Sequence, residues 1–505
     1  MSDSQENKRK LSLQDFTKFY SFYPSSAQSL NSMKDGIHYT IIENHSKINQ
    51  YSYETGEVVS TIFDINDVDQ SELRQPISSI RDYSFNADET ILLIIPFKQA
   101  IFRHSFVTNY CLYEIATKKL IPLSKKVGQM CATFSPDGKH VAFVHKNNIY
   151  LYNLEDRSEI QVTSDGSLNH IINGVPDWVY EEEFEFTRAF EWSSDGHALA
   201  FIRFDESDVP TYVLQQYKGS FPAYAKNEMY PNIYKYKYPK AGEKNSIVTV
   251  HIYDLAKKTT IKIDVDENTD TYIPRIRFTK DPQTLSIFHL NRHQNCLSIF
   301  STNVDTGETH LMYRERNKYY IDQKSFDQFQ FLDNGINFAI ESEETGYNHI
   351  YLYEISKEKD IDSFSDEDFQ KHKKPITFGS FDVNDFIGYD EIRNLYYYSS
   401  YEESSLELYV YCIDDKGNKK KITPKKGWNE IKHSKNFNYI IVENSSIDTV
   451  PNTILYRNDL STDGNGITGS LTEIKCLEDN GDLKSQIEKI DYLPKVEFFT
   501  GRAAD

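Results

Sequence analysis

Apolar residues along this chain alternate with polar ones in short runs broken by turn residues. The clearest unit is FSPDGKHVAF at 134–143, followed by NIYLY at 148–152. Alternation flanks Pro136-Asp137-Gly138, and that tripeptide supplies the turn chemistry, so the unit predicts strand, tight turn, strand, turn, strand. FEWSSDGHALAF at 190–201 is nearly a copy. Weaker copies begin near Asp35, Phe85, Phe278, Phe331, Phe386 and Phe437. Several close on an aromatic strand, as in IYLY at 350–353 and LYVY at 408–411, and turns such as ETG at 54–56 and DTG at 305–307 follow. Eight copies at a spacing of roughly 50 residues predict an all-β fold, an eight-bladed β-propeller with four-stranded antiparallel blades. The interval between Trp192 and Phe278 is longer. It holds YPNIYKYKYPKAGEKNS at 230–246, read as an arm projecting from one blade. The expected divisions are an N-terminal segment at 1–34, helical near 11–16, the propeller at 35–490, and a remainder at 491–505. The charged run 357–374 reads as an exposed loop between strands.

Composition narrows the partners. The chain has 505 residues, too many for one ordinary core. Its 76 acidic and 56 basic residues give a net charge of −20, which disfavours nucleic acid or an anionic membrane surface. The 36 tyrosines and 31 phenylalanines against 21 glycines lean towards strands. Cys111, Cys131, Cys296, Cys412 and Cys476 are scattered, with no CxxC and no Cys/His cluster, so no metal or other cofactor is expected. The opening MSDSQENKRK has no apolar core of a signal peptide, and the longest apolar run, 91–97, is too short to cross a bilayer. Sequons at Asn44 and Asn444 matter only in a secreted protein.

The candidate chemistry lies in DWVYEEEF at 177–184. Three adjacent glutamates, Glu181, Glu182 and Glu183, repel one another, and an ordered run of this kind suits a cation. Neighbours on a strand point to opposite faces, so adjacent carboxylates that converge on one ligand need a helical turn or a loop. A peptide α-ammonium, with three donors, is a natural small cation for such a pair. A solvated acidic loop is the other reading of the run. Trp178 and Tyr180, with Glu181, read as supports that pack the motif.

With this motif, the blade at 190–201, the YPKAG at 238–242, FRHS at 102–105 and EETGYNH at 343–349, the chain resembles the dipeptidyl peptidase IV family of the prolyl oligopeptidase clan, in its bacterial form. The resemblance runs from about Leu11 to Phe499. It implies a propeller that sits over an α/β-hydrolase domain in a serine exopeptidase that releases N-terminal Xaa-Pro or Xaa-Ala dipeptides. It implies that Glu182 and Glu183 clamp the free N-terminus of a peptide substrate, and that Arg103 orients the substrate carbonyl beside them. It also implies an arm, with Tyr230, Tyr238 and Pro239, that contributes to a homodimer. His104 and His349 read as structural. Glu185 departs from the small residue that bacterial relatives often carry after the motif. Family members are commonly periplasmic, secreted or surface-anchored, and no segment of this chain selects among these.

The catalytic half of that chemistry is not found. A hydrolase serine is usually written G-x-S-x-G, with a later Asp and His. No G-x-S-x-G occurs in the 505 residues. The expectation is therefore a substrate-recognition propeller without the hydrolase domain and without catalytic residues, inactive alone. On that expectation 491–505 is the truncated start of the missing domain, or a tail. The alternative is a stand-alone propeller that binds peptides or proteins.

Overall fold

The computed structural model describes residues 8–18, 21–26, 30–218, 227–265, 271–355, 364–463, 466–493 and 495–502. Its strands form eight main antiparallel sheets in chain order, which is the fold class of an eight-bladed β-propeller with four-stranded blades. The chain divides into two compact units.

One unit comprises 44–47 and 62–375. Its blades begin at Asp82–Phe85, Met130–Phe134, Ile171–Asn173, Thr271–Phe278 and Gln330–Phe331. The repeat's turn forms as its sequence dictates. Gly138 N–H donates to Ser135 O at 3.0 Å and takes φ +73°, and Asp137 Oδ1 accepts from Ser135 Oγ at 2.5 Å. The copy at 193–196 repeats both bonds, with Gly196 at φ +75°. Glycine is the least strained residue at such an angle. In the second blade Glu89 occupies the same turn position at φ +59°, its N–H donating to Asn86 O. A continuous apolar core runs through four of these blades, from Ala142 to Phe369.

The other unit comprises 1–43, 48–61 and 376–505. It holds most of the first blade and the blades that begin at Val383–Asp390 and Trp428–His433. Tyr53 stacks on Tyr439 at 5.4 Å, and Tyr397 on Phe437 at 4.9 Å. The expected N-terminal helix forms over Leu13–Thr17, where Ser12 N–H donates to Asp15 Oδ2.

Two regions depart from the simple repeat. The expected exposed loop at 357–374 contains a helix, Asp366–Lys371, and a strand, Lys373–Pro375. Residues 356–363 lie outside the described residues. Ser365 caps this helix and Phe369 is buried beneath it. The Lys373 side chain is 2 % exposed and its ammonium pairs with Glu315 and Glu344. A single apolar residue in a helix of six residues leaves almost no periodicity to detect, which is why the charge dominates the sequence reading.

The fourth blade carries five strands. Its edge strand is split: Ile171–Asn173 pairs with 203–205, and Phe190–Trp192 pairs with 199–201, both on Ala198–Asp205. Residues 174–189 leave the sheet between these pieces. The gap is closed at its neck, where Ala189 N–H donates to Gly174 O at 2.9 Å. Gly174 has φ +77°, and a Cβ there would lie 2.7 Å from Ile149 Cγ1. The long interval later in this blade forms a two-stranded hairpin, Thr211–Gln216 with Asn232–Lys237. It begins about twenty residues before the stretch singled out in the sequence; 219–226 lie outside the described residues.

Candidate functional site

The insertion in the split strand holds the acidic motif as a short helix, Trp178–Glu183. Local chemistry fixes both its ends. Asp177 is the N-cap, and its Oδ1 accepts from Tyr180 N–H at 2.9 Å. Its Oδ2 accepts from Ser246 Oγ at 2.5 Å. Burial pushes the Asp177 carboxyl above its usual value, against these bonds, which stabilise the charged form. At the other end, Phe184 O accepts from the Arg275 guanidinium at 2.6 Å, and Arg275 also pairs with Asp327.

Each supporting side chain has a distinct contact. Tyr180 is 1 % exposed; its ring meets Phe184, Phe204 and Tyr272 edge-on, and its hydroxyl accepts from Ile273 N–H at 3.1 Å. Trp178 packs on Tyr238 at 4.5 Å and near Tyr236 at 6.3 Å, so the base of the hairpin rests on the helix start. Pro239 is half-buried beside it, and Tyr230 is 80 % exposed. Glu181 is 2 % exposed, and its Oε1 accepts from His104 N–H at 2.9 Å and Ser105 N–H at 2.8 Å.

Arg103 and Glu182, 79 residues apart in sequence, meet as a two-pronged pair: Nε to Oε2 at 3.0 Å and Nη2 to Oε1 at 2.8 Å. The bond to Glu182 raises the Arg103 pKa further. Glu183, next on the helix, is exposed, and among the described residues its carboxylate forms no hydrogen bond or ion pair. Two carboxylates and one guanidinium leave one negative charge. The two carboxylates lie in the last turn of the helix, which has no basic residue of its own; the Arg275 guanidinium on Phe184 O meets the negative end of its dipole. His104 is exposed and His349 is buried.

Next to the helix a cleft of about 720 Å³ opens, lined by His104, Glu185, Arg188, Trp192, Arg275 and Arg277 among others. Glu185, one of the lining residues, is exposed and has φ +53°. Sequence reasoning missed Arg275 and Asp327, which carry no local motif. It also missed Glu206, a 6 % exposed carboxyl that burial and the nearby Asp177 charge push up to about 7, against the pull of Lys237. The Asp177 cap had a signal: an Asp immediately before a turn that carries glutamates is a helix start. Among the described residues no group of three His, Cys, Asp or Glu is arranged to hold a metal, and no helix is long and apolar enough to cross a membrane. The five cysteines are all free thiols.

Fold and site together define a β-propeller that presents an acidic helix to an arginine. Residues 86–451 match the family described as "Dipeptidyl peptidase IV (DPP IV) N-terminal region", and the chain belongs to that family. A Phaeosphaeria nodorum protein named "Probable dipeptidyl-aminopeptidase B" is 32% identical over 361 residues, covering 66% of this chain and 38% of the relative. Dipeptidyl peptidase 4 of Trichophyton rubrum is 30% identical over 344 residues, covering 66% of this chain and 41% of the relative. The crystal structure of Porphyromonas gingivalis dipeptidyl peptidase 4 superposes with a TM-score of 0.85 at 34% identity, over 97% of this chain and 65% of that one. The chain thus spans about four-tenths of the length of these curated relatives.

Proposed function

We propose that this propeller recognises the free N-terminus of a peptide, as the substrate-recognition part of a dipeptidyl peptidase that removes Xaa-Pro or Xaa-Ala dipeptides. Glu183 and the outer face of Glu182 receive the α-ammonium, and Arg103 offers a donor to the first carbonyl. The observation that carries this reading is the unequal state of the two glutamates: Arg103 neutralises Glu182, while Glu183 stays exposed beside it without a cation. An exposed carboxylate at the negative end of a helix costs stability, and such a local conflict marks a ligand site. The same geometry favours exopeptidase behaviour, since a chain without a nearby α-ammonium leaves the charge unpaired. Hydrolysis itself belongs to a hydrolase domain with a serine nucleophile. The hairpin's exposed Val213, Leu214, Tyr230 and Ile233 provide an apolar contact for a second copy.

The test is binding of Ala-Pro-Ala to the 505-residue protein, followed by calorimetry or by chemical-shift changes. Wild type binds the free peptide and not its N-acetyl form. Glu183→Ala weakens binding by about tenfold or more, since a charge-assisted hydrogen bond contributes roughly 1.5–3 kcal/mol. Equal affinity for the free and acetylated peptides would refute the ammonium reading. A stand-alone peptide-binding propeller is separated from this by the longer enzyme: if joining the hydrolase domain gives no peptidase activity, the exopeptidase assignment falls.

A further inference from the structure

Of the three adjacent glutamates, the first, Glu181, has no part in receiving the ammonium. Glu181 is buried, and a buried carboxylate needs compensating donors. It finds them in the main chain of another loop: the N–H groups of His104 and Ser105, the two residues after Arg103. That loop is small. It springs from the two-stranded pair Gln99–Ala100 with Phe106–Val107. Within it, Ile101 N–H donates to Ser105 O at 2.9 Å and Phe102 N–H to Ser105 Oγ at 3.3 Å. The Arg103 side chain is 68 % exposed and reaches Glu182 through solvent-facing atoms. An exposed ion pair alone is a weak positioning force, about 0–1 kcal/mol. The geometric anchor of the arginine is therefore its own backbone.

We infer that Glu181 is a positioning residue: it docks the Arg103 loop onto the acidic helix through two main-chain N–H groups, and so sets the guanidinium on Glu182 and leaves Glu183 for the ammonium. The inference rests on the ammonium reading proposed above. It divides the labour among three adjacent identical side chains: Glu181 holds a loop, Glu182 holds the arginine and turns its outer face to the ammonium, and Glu183 meets the ammonium without a protein cation. On a helix, successive residues point about 100° apart, which is what lets them face three directions.

Two measurements on the full 505-residue chain test it. The first is amide hydrogen exchange at 101–107. Glu181→Ala speeds exchange at His104 and Ser105 by about tenfold or more. Glu181→Gln, which keeps the acceptor oxygen and the shape but loses the charge, speeds it by about threefold. Exchange unchanged in Glu181→Ala overturns the inference. If Glu181→Ala fails to fold, Glu181→Gln decides in the same way.

The second measurement is a double-mutant cycle in the binding of Ala-Pro-Ala. Glu181→Gln weakens binding in the wild-type background and has no further effect in an Arg103→Ala background. An equal loss in both backgrounds means that Glu181 does not act through Arg103, and overturns the inference. If the peptide binds no better than its N-acetyl form, the ammonium reading fails, and hydrogen exchange alone then decides whether Glu181 docks the loop.

Discussion

Glu206 gives the sharpest test of the electrostatics around the site. Its carboxyl is buried just beyond Ala198–Asp205; its N–H donates to His170 O and its carbonyl accepts from Val209 N–H. Its pKa is pushed from 4.5 up to about 7, first by burial and then by the Asp177 charge. Between these two values the folded chain holds a proton that the unfolded chain has lost. Stability from this group is therefore fully present below about pH 4.5 and is lost as pH rises through about 7. Each pKa unit corresponds to 1.36 kcal/mol, so the shift amounts to about 3 kcal/mol. Glu206→Gln is neutral and nearly isosteric, and lacks this dependence. The assay is urea unfolding of both proteins from pH 4.5 to 8.5, read by tryptophan fluorescence in a Trp428→Phe background, where Trp178 and Trp192 in the fourth blade carry the signal. The expected result is that wild type loses about 3 kcal/mol relative to the variant across that range. The raised Asp177 carboxyl adds a slope of the same sign in both proteins, so the difference reports Glu206 together with its coupling to Asp177. Parallel curves, within about 0.5 kcal/mol, would refute the assignment of a buried, protonated Glu206.

Asp177→Ala removes the helix cap and leaves Ser246 Oγ buried without its acceptor, so the urea midpoint falls by an equivalent of about 2–4 kcal/mol. Asp177→Asn keeps an acceptor without a buried charge and costs clearly less; equal losses in the two variants would show that charge, not the cap, is what matters. Glu89→Gly relieves a left-handed backbone in the second blade's turn and raises stability by up to about 1 kcal/mol, against the entropy cost of glycine. Ile233→Glu in the hairpin leaves the monomer's melting temperature unchanged; if the hairpin joins two copies, it shifts sedimentation at micromolar concentration from dimer to monomer.

The repeat was legible because its turn is a chemical signature. Ser135-Pro-Asp-Gly and Ser193-Ser-Asp-Gly each make the same Ser-to-Asp bond, and the residues around them alternate. Where the glycine is replaced the signal fades. Phe437 occupies that turn position at φ +55°, yet in sequence it resembles the phenylalanine that ends the preceding strand. The adjacent carboxylates excluded a strand for the acidic motif and left a helical turn or a loop, of which the structure takes the helix; the meeting of Arg103 with Glu182 followed from the family resemblance. The docking role of Glu181 could not be read at all. It depends on main-chain N–H groups 76 and 77 residues away, and backbone donors have no sequence signature.

The split edge strand of the fourth blade has a consequence for how such sites change. Ala198–Asp205 keeps a hydrogen-bonded neighbour on both sides of the break, and Gly174 and Ala189 already touch across it. The ladder beneath thus owes none of its hydrogen bonds to the acidic helix, which is held instead by side-chain packing through Tyr180 and Phe184. Loops inserted at such a closed neck add little closure entropy as they lengthen, about 0.6 kcal/mol per doubling. A blade built this way can change its exposed recognition residues, such as Glu183, while Tyr180 and Phe184 keep the insertion seated.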